Sequence, residues 1–199
     1  MAILTRSELI DRLSGKREDP IVVTPLLHKD QVGPGSIDVR LANDFLLATR
    51  SVSGVLAYKE GESAHPDYPD LYRKTRREFG IPFYLHPNQL VLGATLEYIG
   101  LPSDLSCYVI GRSSLGRTGL VIATAIAVSP GYSGCITLEI VNVGEVPLPL
   151  FPGMRVAQLV IHSTIGTAAY TGRFSCSTGP SPPALWRDRE MSVWESGDR

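Results

Sequence analysis

The 199-residue sequence lacks the features that mark most nucleic-acid-binding and membrane proteins. Its formal net charge of −1 provides no electrostatic basis for binding nucleic acid or an acidic membrane. No apolar run approaches the length of a membrane span, and the first residues, MAILTRSELIDRL, do not have the pattern of a signal peptide. Neither a GxGxxG motif nor a P-loop occurs. We therefore expect no nucleic acid and no membrane as the main partner.

Cysteine is also scarce. The three cysteines, Cys107, Cys135 and Cys176, form no CxxC pair and none of the Cys/His spacings typical of zinc sites. Their number is odd and two of them lie in predicted strands, so a disulfide framework is not indicated. The simplest interpretation is a reduced, cytoplasmic chain without a metal site of its own.

What the sequence does contain is a series of short apolar runs. Many such runs at close spacing favour an all-β fold, a sandwich or jelly-roll-like barrel. A capping-box pattern at Thr5-Arg6-Ser7-Glu8 adds one short N-terminal helix that ends near Gly15. The apolar runs and the turns between them predict strands at 21–23, 36–41, 45–47, 83–85, 90–97, 108–110, 120–127, 135–142, 146–150 and 156–162.

Two parts of the chain are less regular. Residues 51–80, which include the charge run RKTRRE at 73–78, are interpreted as a solvated loop with a short helix. After Ala168 the composition turns to Gly, Ser, Pro and Thr, which favours a flexible tail. We therefore predict one domain at 1–167 and a tail at 168–199. Asp38, in the strand at 36–41, is interpreted as an edge-strand surface residue outside the site.

A single acid interrupts the apolar strand at 135–142. The alternation in CITLEIV places Glu139 on the face of Cys135, Thr137 and Val141, so its carboxylate is expected to be partly buried. Burying a carboxylate without a partner costs free energy. The available hydroxyl and guanidinium donors are those of Arg112, Ser113, Ser114 and Arg117.

Several motifs occur in a recognisable order. They are SIDVRL at 36–41, FYLHP at 83–87, GRSSLGR at 111–117, PGYSG at 130–134, TLE at 137–139 and PGM at 152–154. Together they resemble the dCTP deaminase branch of the trimeric dUTPase superfamily. The resemblance covers most of residues 30–165, apart from an insertion-like stretch around 62–80.

This resemblance implies a distorted jelly-roll subunit, a homotrimer, and three active sites at subunit interfaces. It also implies deamination without zinc, and the H-x-E…P-C-x-x-C signature of the zinc deaminases is absent. Glu139 falls at the position of the base that activates water. Ser113 and a backbone carbonyl near Ala125 would hold the water. Arg117 would orient the carboxylate and stabilise charge as C4 of cytosine becomes tetrahedral.

Phosphate and sugar binding fall on other residues of the same motifs. Guanidinium and hydroxyl donors suit phosphate oxygens, which favours Arg112 and Ser114. The resemblance implies that Mg²⁺ is carried by the triphosphate and that Tyr132 stacks under the deoxyribose. Alternatively, Arg112 and Arg117 brace a trimer interface, and Tyr132 only packs within its turn.

Several positions depart from the family pattern. Ile126-Ala127 stands where deaminases commonly carry a histidine-arginine pair or a similar polar pair. Ser129 stands where they carry an acid that binds the sugar 3′-hydroxyl and that serves as the base in dUTPases. In the tail, Arg173 and Ser177 replace the lysine and glutamine of a segment that folds over the triphosphate, so the tail is a candidate lid. Ser129, Arg173 and Ser177 are kept as expected substrate contacts.

We therefore predict hydrolytic deamination of dCTP to dUTP and ammonia. The alternative is a non-catalytic nucleotide-binding or regulatory member of the same fold. A bifunctional enzyme that also releases pyrophosphate and forms dUMP is a third interpretation, which the loss of the acid at Ser129 disfavours.

Overall fold

The computed structural model describes residues 2–49, 71–124 and 127–183. Short strands dominate these residues, as the sequence predicts. The helices are α1 (Arg6–Leu13), a 3-10 turn (Lys29–Gln31) and α2 (Ser113–Gly116). The strands are β1 (Val22–Thr24), β2 (Ile37–Arg40), β3 (Asp44–Ala48), β4 (Tyr72–Arg76), β5 (Phe83–Leu85), β6 (Leu90–Ala94), β7 (Tyr98–Gly100), β8 (Leu105–Gly111), β9 (Leu120–Ile122), β10 (Ala127–Val128), β11 (Ser133–Gly134), β12 (Thr137–Asn142), β13 (Leu148–Leu150) and β14 (Arg155–Ser163).

Two larger antiparallel sheets enclose the core. One has the strand order β4-β3-β6-β12-β9 and the other β10-β8-β14-β2. A three-stranded sheet, β1-β7-β11, and the pair β13-β5 complete the architecture. A single cluster of buried side chains draws on both larger sheets, for example Phe45 and Leu138 from the first and Ile37 and Leu159 from the second. The prediction of a mainly β barrel-like fold with a short N-terminal helix is therefore confirmed.

Strand β12 carries the alternation that the sequence predicts. Leu138 and Ile140 are fully buried in the core, whereas Thr137, Glu139 and Val141 on the opposite face are only partly covered. Burial of each such aliphatic side chain stabilises the fold by ~1.5–3 kcal/mol. The core face therefore fixes the register of β12 and directs Glu139 to the outer face.

Helix α1 forms as predicted, but its capping differs. Thr5 is the N-cap residue, yet its side chain makes no capping hydrogen bond and its Oγ1 lies 3.2 Å from Ser7 Oγ instead. Glu8 pairs with Arg12 and Arg17 and does not turn back to the N-cap. The capping-box prediction was therefore wrong, because these arginines compete for the Glu8 carboxylate. The helix ends near Gly15 as the sequence predicts, and Gly15 has the positive φ of +69° that is common just after a helix.

The charge run at 73–78 is mostly a strand, which corrects the expectation of a loop with a short helix. Strand β4 pairs with β3 from Asp44↔Arg76 to Ala48↔Tyr72. Pairing in the sheet outweighs the polar composition, because a strand at a sheet edge leaves its charged side chains in water. Residues 51–70 of the predicted loop lie outside the described residues.

Other predicted strands are broken or extended. The run at 120–127 divides between β9, which pairs with β12, and β10, which pairs with β8 in the other sheet. The run at 90–97 ends at Ala94, and a separate strand β7 follows it. Strand β8 is longer than predicted, because all seven of its residues pair with β14. No helix in the described ranges is long and apolar enough to cross a membrane.

Candidate active site

A cavity of about 380 Å³ lies on the outer face of the five-stranded sheet. Strand β12 contributes Thr137 and Glu139, and β6 contributes Leu90 and Leu92. Leu92 lies directly opposite Glu139 in the ladder, and Leu90 lies opposite Val141. Tyr72 of β4 extends this floor. The face of β12 that is turned away from the core therefore forms the floor of a ligand-sized pocket.

A second wall comes from the segment that follows β9. Thr124, Ala127, Val128, Ser129, Tyr132 and Ile136 line the cavity here. Thr124 connects this wall to the floor, because its Oγ1 accepts a hydrogen bond from Glu139 N at 3.0 Å. Ala127 and Ser129 thus both line the pocket, and neither brings a charged group to it.

The C-terminal segment covers the cavity of its own chain. Tyr170, Phe174, Ser181, Pro182 and Pro183 line the cavity from this side. Backbone hydrogen bonds of 2.7 Å join Cys176 N to Ser133 O and Cys135 N to Ser177 O. Ser181 N also donates to Thr137 Oγ1 at 3.1 Å. The segment at 168–183 therefore occupies the position of a lid, while its flexibility without nucleotide stays a prediction.

Glu139 supplies the only formal charge among the described residues that line the cavity. Its Oε2 atom is buried and has no hydrogen-bond partner within the described part of the chain. An unsatisfied buried carboxylate oxygen costs free energy comparable to at least one lost hydrogen bond. This oxygen is therefore available to a donor from outside this set of residues, such as water, a nucleotide base or another chain.

The four donors expected beside Glu139 do not reach it within one chain. Ser113, Ser114 and Arg117 are exposed on and after α2, and none of them lines the cavity. Arg112 instead lies 3.7 Å from Asp38. Nothing within the described ranges of a single chain therefore joins the α2 turn to the carboxylate. The functions predicted for these four residues stay predictions.

Tyr132 packs inside the cavity wall. Its hydroxyl donates to Cys135 O at 3.0 Å, and its ring meets that of Tyr170 edge-on at 5.4 Å. Burial raises the pKa of the Tyr132 hydroxyl, so the group stays protonated. Gly131 before it has φ +72°, and a Cβ there would lie 2.9 Å from Ala169 Cα. The turn thus brings an aromatic ring to the cavity and also packs against the tail, while stacking of Tyr132 under a deoxyribose stays a prediction.

Three further residues that were predicted to belong to the site are not among the described residues that line the cavity. Ala125 lies outside the described residues. Arg173 is exposed and does not line the cavity, although its neighbour Phe174 does. Ser177 Oγ donates to Gly179 O at 2.8 Å and lies 2.9 Å from Ser181 Oγ, so it contributes to the internal structure of the lid.

Most of the residues that line the cavity were not predicted from the sequence, and Tyr72 and Thr124 are two of them. Tyr72 could not be assigned to a strand from the sequence, because the charge run that follows it indicated a loop. Thr124 is a short polar residue in an apolar run, and only its hydrogen bond to the backbone of Glu139 distinguishes it. No group of three or more His, Cys, Asp or Glu side chains within the described ranges has the arrangement of a metal site.

Comparisons with known proteins define the family. The family model described as dCTP deaminase-like matches residues 3–164. The chain is 44% identical over 160 residues to a dCTP deaminase from Halorubrum lacusprofundi, covering 79% of this chain and 75% of the relative. It is 42% identical over 153 residues to a "dCTP deaminase, dUMP-forming" from Dictyoglomus turgidum, covering 76% of each.

A solved structure supports the fold. The crystal structure of 2'-deoxycytidine 5'-triphosphate deaminase from Agrobacterium tumefaciens superposes with a TM-score of 0.61 at 20% identity. The match covers 80% of this chain and 46% of that one. The architecture is thus that of a mainly β protein whose outer cavity has one carboxylate, Glu139, among its described lining residues. The chain belongs to the dCTP deaminase-like family.

Proposed function

We propose that this protein is a hydrolase that deaminates dCTP to dUTP and ammonia. The unsatisfied buried oxygen of Glu139 is the observation that carries this proposal. A carboxylate held in a largely apolar cavity is suited to accept a proton from water and later to return it. Family membership and relatives named dCTP deaminase support the same chemistry.

The proposed reaction uses Glu139 twice. The carboxylate accepts a proton from water while the water oxygen forms a bond to C4 of cytosine. The C4=N3 π bond opens in this step, and Glu139 passes the proton to N3. Glu139 then accepts the proton of the new C4 hydroxyl and donates it to the amino group, so the C4–N4 bond breaks, ammonia leaves and the C4 carbonyl of uracil forms. The hydrogen bond from Glu139 N to Thr124 Oγ1 holds the backbone of the residue that carries the catalytic carboxylate. As in the sequence analysis, we assign the holding of the water to Ser113 and a backbone carbonyl near Ala125. Arg117 orients the carboxylate and stabilises the developing charge.

The triphosphate requires cations that the cavity of one chain does not supply. No Lys, Arg or His is among its described lining residues, while Arg112, Ser114 and Arg117 lie away from it. We infer a homotrimer in which the α2 turn of one subunit completes the cavity of the next. Mg²⁺ enters as part of the substrate, bound to the triphosphate. The tail at 168–183, with Arg173, closes over it.

The proposed product is dUTP. Relatives carry the names of both kinds of enzyme, the simple deaminase and the dUMP-forming one. Cleavage of the triphosphate would need a second base, and Ser129 occupies the position of the acid that would serve.

Product analysis tests this function. Purified protein is incubated with each dNTP and Mg²⁺, and the products are separated by chromatography. We expect dUTP from dCTP, with no dUMP and no pyrophosphate. Formation of dUMP would establish the bifunctional alternative. Binding of dCTP without any product would establish the non-catalytic alternative.

A further inference from the structure

Asp38 lies at the centre of a charged cluster outside the cavity. Its side chain is only 10% exposed, so it is not the surface residue that the sequence suggested. Gln158 Nε2 donates to Oδ1 at 2.8 Å, and Arg155 Nη1 donates to Oδ2 at 3.2 Å. The guanidinium of Arg112 approaches the same Oδ2 atom at 3.7 Å. Such burial of a carboxylate is tolerated because both oxygens are paired.

The register of the four-stranded sheet brings these residues together. Strand β14 lies between β8 and β2. Gln158 of β14 pairs with Asp38 on one side and with Ile110 on the other, and Gly111 pairs with Ala157. Arg112 follows Gly111 directly. Backbone pairing across β14 therefore places Arg112 beside Asp38, and the conformations of the two side chains set the 3.7 Å contact.

The contacts of Asp38 differ in strength. Arg155 is itself held by Asp30, whose Oδ2 lies 2.6 Å from Arg155 Nη2, and this hydrogen bond raises the pKa of Arg155. Arg155 and Gln158 thus anchor the carboxylate. Arg112 makes the longest contact, and 34% of its side chain stays exposed. Because a guanidinium has five N–H donors, a single loose contact restricts its direction and leaves donors free for another anion.

We propose that Asp38 is a positioning residue that fixes the direction of the Arg112 guanidinium for binding the triphosphate. This inference rests on the proposed function. It assigns the buried polar group of β2 to nucleotide binding, although Asp38 is not among the residues that line the cavity. An arginine that is already restricted loses less conformational entropy when it binds phosphate.

The test measures the preference for triphosphate over monophosphate. Dissociation constants for Mg²⁺-dCTP and dCMP are measured by calorimetry in the Glu139→Gln background, which prevents turnover. Asp38→Asn keeps the shape but removes the charge that holds Arg112. Asp30→Asn is the matched control, because it makes the same chemical change in the same cluster and Asp30 forms its ion pair with Arg155. Both changes are repeated with Arg112→Ala.

We expect Asp38→Asn to lower the preference for triphosphate about tenfold, the size expected for one charge-assisted hydrogen bond. Asp30→Asn should change it less than about twofold. In the Arg112→Ala background Asp38→Asn should have no further effect, since residues that act through one another are not additive. If Asp38→Asn fails to fold, Gln158→Leu removes the anchor of Oδ1 and should lower the preference about threefold.

An unchanged preference in Asp38→Asn, or an equal loss with and without Arg112, would overturn the positioning role. The second result would mean that Asp38 acts on the nucleotide without Arg112. An unfolded Asp38→Asn variant together with an unchanged preference in Gln158→Leu would overturn it as well. These results leave the proposed function intact. A protein with Glu139 that binds neither nucleotide would refute the proposed function and this role together.

Discussion

The carboxylates of Glu139 and Asp38 differ in how many of their oxygen atoms have hydrogen-bond partners. Asp38 has a partner on both oxygens and two nearby guanidinium groups. Glu139 has a buried oxygen without any partner in the described part of the chain. A satisfied carboxylate stabilises structure, whereas an unsatisfied one is available for a ligand or a proton. Within one chain, the proposed base and the proposed phosphate-binding cations therefore occupy separate regions.

Within one chain, the proposed base and the proposed phosphate-binding cations form two separate halves of the proposed site. The cavity has shape, an acid and a covering tail, but its described lining has no cation. The α2 turn carries Arg112 and Arg117 and has no cavity of its own. A trimer of the dUTPase-like kind would bring the two halves together, and changes made to either half test that comparison.

The largest effect is expected at the acid. Glu139→Gln keeps the shape and an acceptor oxygen but removes the base, so turnover should fall about 10²–10⁴-fold. The melting temperature should change little, because glutamine has nearly the same size and shape as the partly covered Glu139 side chain. Initial rates of ammonia release measure the effect. Near wild-type turnover would mean that the cavity is not the site of chemistry.

The departures from the family pattern in the cavity wall predict a smaller effect. With Ala127 and Ser129 in place of an arginine and an acid, the cavity should hold the substrate more loosely, and wild-type turnover should be below about 10 s⁻¹. Slack of ~1 Å lowers a rate about a hundredfold. The double change Ala127→Arg and Ser129→Asp should therefore raise kcat. A wild-type rate already at the typical value would remove the basis of this prediction.

The covering tail should affect binding more than assembly. Truncation after Thr167 removes Tyr170, Phe174 and Arg173, and we expect KM for dCTP to rise about tenfold because the site is no longer closed from water. Light scattering should give an unchanged mass, roughly three times that of one chain. As a control, ending the chain after Pro183 retains every described contact of the tail and should leave KM unchanged.

Mixing two inactive variants tests the separation of the two halves directly. Glu139→Gln and Arg117→Ala chains are refolded together in equal amounts. If each site takes Glu139 from one subunit and Arg117 from another, about a quarter of the sites contain both native residues, and about a quarter of the activity returns. Each variant refolded alone is the control. No recovery would place both residues of a site in the same chain.

The sequence by itself determined the class of fold and much of β12. An alternating pattern is a local property, so the burial of Leu138 and Ile140 and the outward direction of Glu139 follow from the order of residues within this one strand. Glycine with a positive φ at Gly131 likewise marks its turn locally. The ordered motifs identified the family for the same reason, because each motif is read over a few adjacent residues.

Only the tertiary structure decided which side chains meet. Asp38 is buried because Arg155 and Gln158 come from a strand more than a hundred residues further along the chain, and no local pattern predicts that pairing. The charged segment at β4 became a strand because β3 was available as a neighbour. Glu139 does not meet Arg117 within one chain, because Glu139 faces the cavity from β12 whereas Arg117 follows α2 outside that cavity. Which side chains become neighbours depends on how the strands pair across the sheets. That pairing joins residues far apart in the sequence, so it is known only once the whole chain has folded.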